Sequence, residues 1–184
     1  MNRKRVKVDI VISVIISVLI LIDQFTKHLA KIYLKPKTED TVIIKKILAL
    51  NYLQGGNQGA AWGMLSGKTA FLVIFTLMIL IVVFIFLHNL FVLNKFNYSL
   101  KNKKFFLLQT FLCLLIAGAI GNIIDRIRYG SVIDFICFRF INFPTFNVAD
   151  IYVTVSCFFI VLLCIFKLSE EEFNEIFSIK RKGN

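Results

Sequence analysis

"AFLVIFTLMILIVVFIFLHNLF", residues 70–91, contains no Asp, Glu, Lys or Arg. A helix of about 20 such residues crosses the ~30 Å hydrocarbon core of a bilayer. A helix buried in a soluble domain rarely stays apolar on every face for that length. The stretch reads as a transmembrane helix. Three further apolar stretches, roughly 8–30, 105–124 and 148–167, meet the same requirement, and the charged residues cluster outside the four.

Composition agrees with this reading. Of 184 residues 58% are hydrophobic, with twenty Phe and two Pro, whereas soluble domains are about half apolar and a quarter charged. The length suits one membrane-embedded domain over 1–184. "NRKRVK" ahead of the first apolar run resembles the start of a secretory signal. That run is long, however, leads into "DQFTKHLAK" and shows no small-residue cleavage pattern, so a retained helix is expected. No internal repeat or low-complexity linker interrupts the chain.

Basic residues near the spans set the expected orientation. Arg3, Lys4, Arg5 and Lys7, then Lys95, Lys101, Lys103 and Lys104, then Lys180, Arg181 and Lys182 flank one side. Four spans place these regions, and both termini, in the cytoplasm. The connections 31–69 and 125–147 then face outward, although Lys31, Lys35, Lys37, Lys45, Lys46 and Lys68 weaken the bias. The net charge of +11 fits contact with anionic phospholipid headgroups. Short membrane loops divide the basic surface too finely for nucleic acid. Residues 31–69 are too many for a simple turn. Within them "TVIIKKILALNYLQ" predicts two short strands, a small sheet on the membrane surface. "FNEIFSIKRKGN" reads as a frayed amphipathic tail acting as a cytoplasmic anchor.

Cysteine and histidine chiefly exclude. Cys113, Cys157 and Cys164 lie inside apolar spans, where Cys behaves as a small hydrophobe, and Cys137 has no evident partner. His28 and His88 stand far apart with no H-E-x-x-H, so no metal site and no cofactor is expected. Ser66 and Lys68 form an outward Ser–Lys pair of the kind that serves as nucleophile and base. "MLSGKTAF", though, is a short Gly-containing turn ahead of a helix, which Ser66 or Thr69 more simply helps to cap. Ser131 lacks a His or Lys to activate it.

The acids carry the remaining chemistry. Asp9 and Asp40 read as edge or turn residues. Asp23 and Lys27 in "DQFTK" share one helical face and suit an ion pair, which an ionisable group at membrane depth needs. Asp125 precedes Arg126, a natural partner. Asp134, in "GSVIDFICF", has apolar neighbours that raise its pKa. Asp150, in "FNVAD", stands at a helix start, where the dipole favours negative charge. Two carboxylates in unlike surroundings can share one proton and act as acid and base. On sequence chemistry alone, a cap at Asp150 and a turn residue at Asp134 explain the same features.

"DQFTK", "NQGAAWG", "GAIGNIIDR", "GSVIDF" and "FPTFNVAD" stand in the order found in lipoprotein signal peptidases, and the chain resembles that family over essentially its whole length. Five motifs in order are far more specific than any one. The resemblance implies an all-α integral membrane fold of four transmembrane helices, with a small extracytoplasmic β-cradle between helices 1 and 2. It implies an intramembrane aspartic endopeptidase of the bacterial plasma membrane. Such an enzyme removes the signal peptide of prolipoproteins just before a Cys that already bears diacylglyceryl. By position, Asp134 and Asp150 match the catalytic pair. Asn57, Gly118, Asn122, Asp125, Arg126 and Asn147 match residues that shape or support the substrate site, and Asp23 and Lys27 match the D-Q-x-x-K motif. Gly56 replaces a basic residue often found before the N-x-G-A-A motif, and Ser156 stands where a small residue is common.

Partners implied are lipid-modified prolipoproteins and phospholipids, with the protein a monomer and the site facing outward. Three rivals remain distinguishable. A transporter would want its carboxylates near the bilayer midplane. A binding-only relative would not cut its ligand. A serine peptidase would depend on Ser66.

Overall fold

A computed structural model of the chain describes residues 3–59, 64–92 and 103–177. Four helices in it are long and apolar enough to cross a membrane. They are α1 (Arg3–Tyr33), α2 (Thr69–Val92), α3 (Lys103–Tyr129) and α4 (Val148–Phe166), followed by a short α5 (Glu170–Phe177). The expected anchors Lys95, Lys101, Lys180, Arg181 and Lys182, and the "AAWG" part of "NQGAAWG", lie outside the described residues.

α3 is the central helix and packs against α1, α2 and α4. Half of its apolar span, 50%, is buried in the molecule, against 17–22% for the other three. Their outer faces carry large exposed apolar residues such as Ile22, Ile74, Ile81 and Val161, the pattern suited to lipid. The main core joins Ile12, Leu80, Leu87, Phe105, Leu112 and Ile116. Ile176 of α5, at 1% exposure, closes this core. Ser169 and Glu172 cap α5 reciprocally, and Lys104 ties Glu172 at 2.6 Å. The expected frayed tail thus begins with an ordered helix.

α3 runs past its expected end at 124 to Tyr129, so Asp125 and Arg126 are helical. The helix need not stop at these charges because α1 supplies a partner for Asp125, described below. It stops at Gly130, whose φ of +70° suits a left-handed terminus. Thr69 does not cap α2; its hydroxyl donates to the Gly130 carbonyl at 2.9 Å, tying α2 to the end of α3.

The two expected strands form as β1 (Thr41–Ile44) and β2 (Leu48–Leu50), paired antiparallel. A third strand, β3 (Ile136–Phe138), comes from the connection between α3 and α4 and pairs antiparallel with β2. Its three residues carry too short a pattern to predict. The sheet order is β1-β2-β3, with Ala49 fully buried at its centre. A second core of Ala30, Leu34 and Phe135 joins the end of α1 to the chain around β3.

That chain is clamped on two sides. Asn51 and Leu53 donate backbone N–H groups to the carbonyls of Phe135 (2.9 Å) and Asp134 (3.1 Å), and Asn57 and Val132 exchange a pair of backbone bonds. On the other side Phe135 and Ile136 donate to Phe146. Asp134 therefore sits on backbone held by both connections.

Candidate active site

α4 begins with a capping box. The Asn147 side-chain oxygen accepts the Asp150 N–H at 3.0 Å, and Asp150 Oδ2 accepts the Asn147 N–H at 3.1 Å. Asn147 is the N-cap and Asp150 the third helical residue. The box satisfies two donors that a helix start leaves unpaired. Asp150 does more than cap, because its other oxygen accepts from Asn122 Nδ2 at 2.8 Å.

Asn147 also joins the two candidate acids. Its Nδ2 donates to Asp134 Oδ1 at 2.6 Å, and Asn57 Nδ2 donates to Asp134 Oδ2 at 2.9 Å. Asp134 is 1% exposed. Burial pushes its carboxyl up to about 7, and the Asp150 charge pushes the same way. The bonds from Asn57 and Asn147, and the Lys27 cation, pull it back down. The net push is upward, toward the protonated form.

Behind the pair lies a buried ionic cluster. Lys27 Nζ meets Asp23 Oδ2 at 2.9 Å, Asp125 Oδ2 at 3.0 Å and Asn122 Oδ1 at 3.0 Å. Asp23 and Lys27 thus form the expected pair, but Asp125 pairs with Lys27 and not with Arg126. The reason is direction: consecutive helical residues point apart, while α1 lies across from Asp125. Gln24 bridges the helices, reaching Asp125 Oδ1 at 3.0 Å and the Gly121 carbonyl at 3.2 Å. Asp23 Oδ1 accepts the Ala149 N–H at 2.9 Å, and Asp125 Oδ2 that of Ile133 at 3.1 Å. The cluster therefore fixes the backbone next to Asp150 and close to Asp134.

Arg126 turns the other way. Its Nη2 donates to the Gly59 carbonyl at 2.9 Å, and its Nη1 reaches the Asn122 carbonyl at 3.4 Å. Its Nε is buried with no partner among the described residues. Arg126, Asn57, Asn122 and Asp150 form the polar end of a cavity of about 390 Å³. Phe138, Phe143, Phe146, Ile151 and Val155 supply apolar wall. Such a cavity can take an extended polar backbone at one end and a hydrocarbon chain along the other.

Two glycines let the helices come close enough. A Cβ on Gly118 would stand 2.6 Å from the Ala149 carbonyl oxygen, and one on Gly121 would strike the Asp23 carboxylate. All ten residues singled out from the sequence meet here: seven in one hydrogen-bonded chain from Asp23 to Asn57, Asp125 on Lys27, Arg126 at the cavity, and Gly118 under Ala149. Sequence reasoning missed Gln24, Gly59, Gly121 and the Phe wall. Gly121 could have been found, since it follows Gly118 by three and shares its helical face. The Phe wall could not, because twenty Phe offer no local signal.

The chain is similar to known proteins over most of its length. The family model described as signal peptidase (SPase) II matches residues 15–166. A lipoprotein signal peptidase of Caldanaerobacter subterraneus subsp. tengcongensis is 39% identical over 84% of this chain and 95% of its own. That of Staphylococcus haemolyticus is also 39% identical, over 85% of this chain and 92% of its own. A bacterial membrane enzyme solved by the in meso method at 2.3 Å superposes with a TM-score of 0.69, at 32% identity over 84% of this chain and 87% of that one. The chain belongs to the signal peptidase II family.

Proposed function

We propose that the protein is an aspartic endopeptidase that removes the signal peptide from diacylglyceryl-modified prolipoproteins, cutting before the lipidated Cys. One observation carries the aspartic reading: Asn147 bonds both Asp134 and Asp150, and Asp150 opens onto the polar end of an apolar cavity. The whole chain serves as one membrane-embedded peptidase unit. It acts as a monomer in the bacterial plasma membrane, with both termini cytoplasmic and the site at the outer face.

The chemistry needs one ionised and one protonated carboxyl. The ionised member takes a proton from water, whose oxygen attacks the scissile carbonyl carbon. The protonated member gives its proton to the carbonyl oxygen, forming a tetrahedral diol. The first member then protonates the leaving amine as the second reclaims a hydroxyl proton, and the C–N bond breaks. Both carboxyls return to their starting states, and no covalent intermediate forms. In this reading the Arg126 Nε and the Asn57 amide hold substrate carbonyls, and the Phe-lined wall takes the acyl chains. Low-dielectric walls strengthen each of these polar contacts.

The test uses purified protein with a prolipoprotein offered with and without its diacylglyceryl group, followed by mass analysis of both fragments. The proposal expects cleavage of the lipidated form alone, with the lipidated Cys as the new N-terminus. Equal cleavage of both forms, or a cut elsewhere, would overturn it.

A further inference from the structure

We propose that Lys27 is a positioning residue which, through the Asn122 amide, fixes Asp150 as the ionised, water-activating member of the pair and leaves the proton on Asp134. The inference rests on the aspartic reading above and adds the division of labour.

Hydrogen-bond direction and distance from the cation make the assignment. The Lys27 ammonium has three donors and no acceptor, and Asp23, Asp125 and Asn122 Oδ1 take all three. One carboxylate would suffice to neutralise it, so the third bond has another consequence. The Asn122 oxygen must face the ammonium, and its NH₂ must therefore face Asp150 Oδ1, 2.8 Å away. The other Asp150 oxygen faces the Asn147 backbone N–H. Both Asp150 oxygens thus meet donors that cannot turn to accept, the arrangement that favours a carboxylate.

Asp134 stands further along the same relay. Its oxygens likewise accept from the side-chain amides of Asn57 and Asn147, which the Gly59 and Asp150 N–H groups hold in that sense. Donor direction alone therefore does not divide the pair, and the distance from the cation decides. Lys27 reaches Asp134 through two amides, Asn122 and then Asn147, but reaches Asp150 through Asn122 alone. Asp150 also lines the cavity from which water and peptide must come, whereas Asp134 does not. A base has to touch its water. Two adjacent carboxylates resist ionising together, so the proton falls to the deeper one, in keeping with the upward push on Asp134. The charged groups facing the pair are Asp23 and Lys27 from α1 and Asp125 and Arg126 from α3.

The experiment replaces the cation without changing net charge, using the double variant Asp23→Asn/Lys27→Met. A Met side chain fills much of the same space but neither carries charge nor donates to Asn122. Steady-state cleavage of the lipidated prolipoprotein is followed from pH 4 to 9 in the full-length protein, with thermal unfolding in parallel. The expectation is a kcat reduced at least ~10-fold with KM within about twofold. The acid limb of the profile should also move up by about one pH unit. Lys27→Arg, which keeps the charge, should keep the wild-type limb. An acid limb in the double variant that matches wild type overturns the role of Lys27, however large the loss of stability. If the Lys27 variants do not fold, Asn122→Ala, which leaves every charge in place, carries the same expectation and the same refutation. Asp134→Asn and Asp150→Asn run beside them: cleavage by these sinks the aspartic reading itself, while inactivity with an unmoved Lys27 limb sinks only this inference.

Discussion

Gly118→Ala should slow cleavage more than it destabilises the protein. An added Cβ would lie 2.6 Å from the Ala149 carbonyl oxygen, where ordinary contact begins near 3.4 Å, and 2.9 Å from Val153 Cγ2. The backbones of α3 and α4 must then part by about 0.8 Å, the difference between those two distances. The tightest contact is with backbone, so it is not relieved by the swing of a side chain. Overpacking of this kind costs about 1–3 kcal/mol, which a bundle with a large apolar core survives. The displaced carbonyl belongs to the residue before Asp150, however, and a misplacement near 1 Å at a reacting group can cost ~10²-fold in rate. Initial rates at saturating lipidated prolipoprotein, read beside the thermal midpoint, separate the two effects. Gly67→Ala is the control: its φ of +79° strains any Cβ, yet nothing lies within 4 Å. It should lose about 1–2 kcal/mol of stability with kcat intact. A Gly118→Ala protein with wild-type kcat would refute the claim that this close approach positions Asp150.

Other substitutions separate the ionic cluster from the surface and acid from base. Asp125→Ala leaves Lys27 with one carboxylate and the Ile133 N–H without its acceptor, and should destabilise by about 3–5 kcal/mol, read by thermal or denaturant unfolding. Glu172→Ala breaks the partly exposed bridge to Lys104 and the cap on α5 and should cost about 1–2 kcal/mol, with cleavage unchanged. If Asp134 must be protonated, kcat/KM should fall above about pH 7, where its carboxyl titrates. The Asn57 hydrogen bond favours the ionised form of Asp134, so Asn57→Ala should move that basic limb to higher pH. A limb that stays or moves down contradicts the assignment.

Much of the architecture was legible because lipid imposes a strong rule on composition. Residues 70–91 admit no other reading, and the strands at 41–44 and 48–50 announce themselves as a β-branched run and a short apolar run between turns. The end of α3 was misread because charges in sequence look like a stop, whereas in space Lys27 of α1 answers Asp125. The same distance in sequence hid the Asp125–Lys27 pair and made Arg126 look like the partner. β3 escaped because it is a strand only by pairing with β2. Asp134 and Asp150 were visible as acids in unlike settings, and the ordered motifs singled them out. That Asn147 joins them could not be read from spacing, since it needs the turn that brings residue 134 back to the start of α4.

The central claim is that Asp134 and Asp150 together perform the hydrolysis. The most direct measurement is cleavage of a diacylglyceryl prolipoprotein by purified Asp134→Asn and Asp150→Asn, each shown to be folded by its thermal transition. Asn is close in size to Asp and still hydrogen-bonds, but it neither takes a proton from water nor donates one as a carboxylic acid does. The account expects both variants to lose at least ~10²-fold in kcat while still binding substrate. Wild-type turnover by either variant would contradict it.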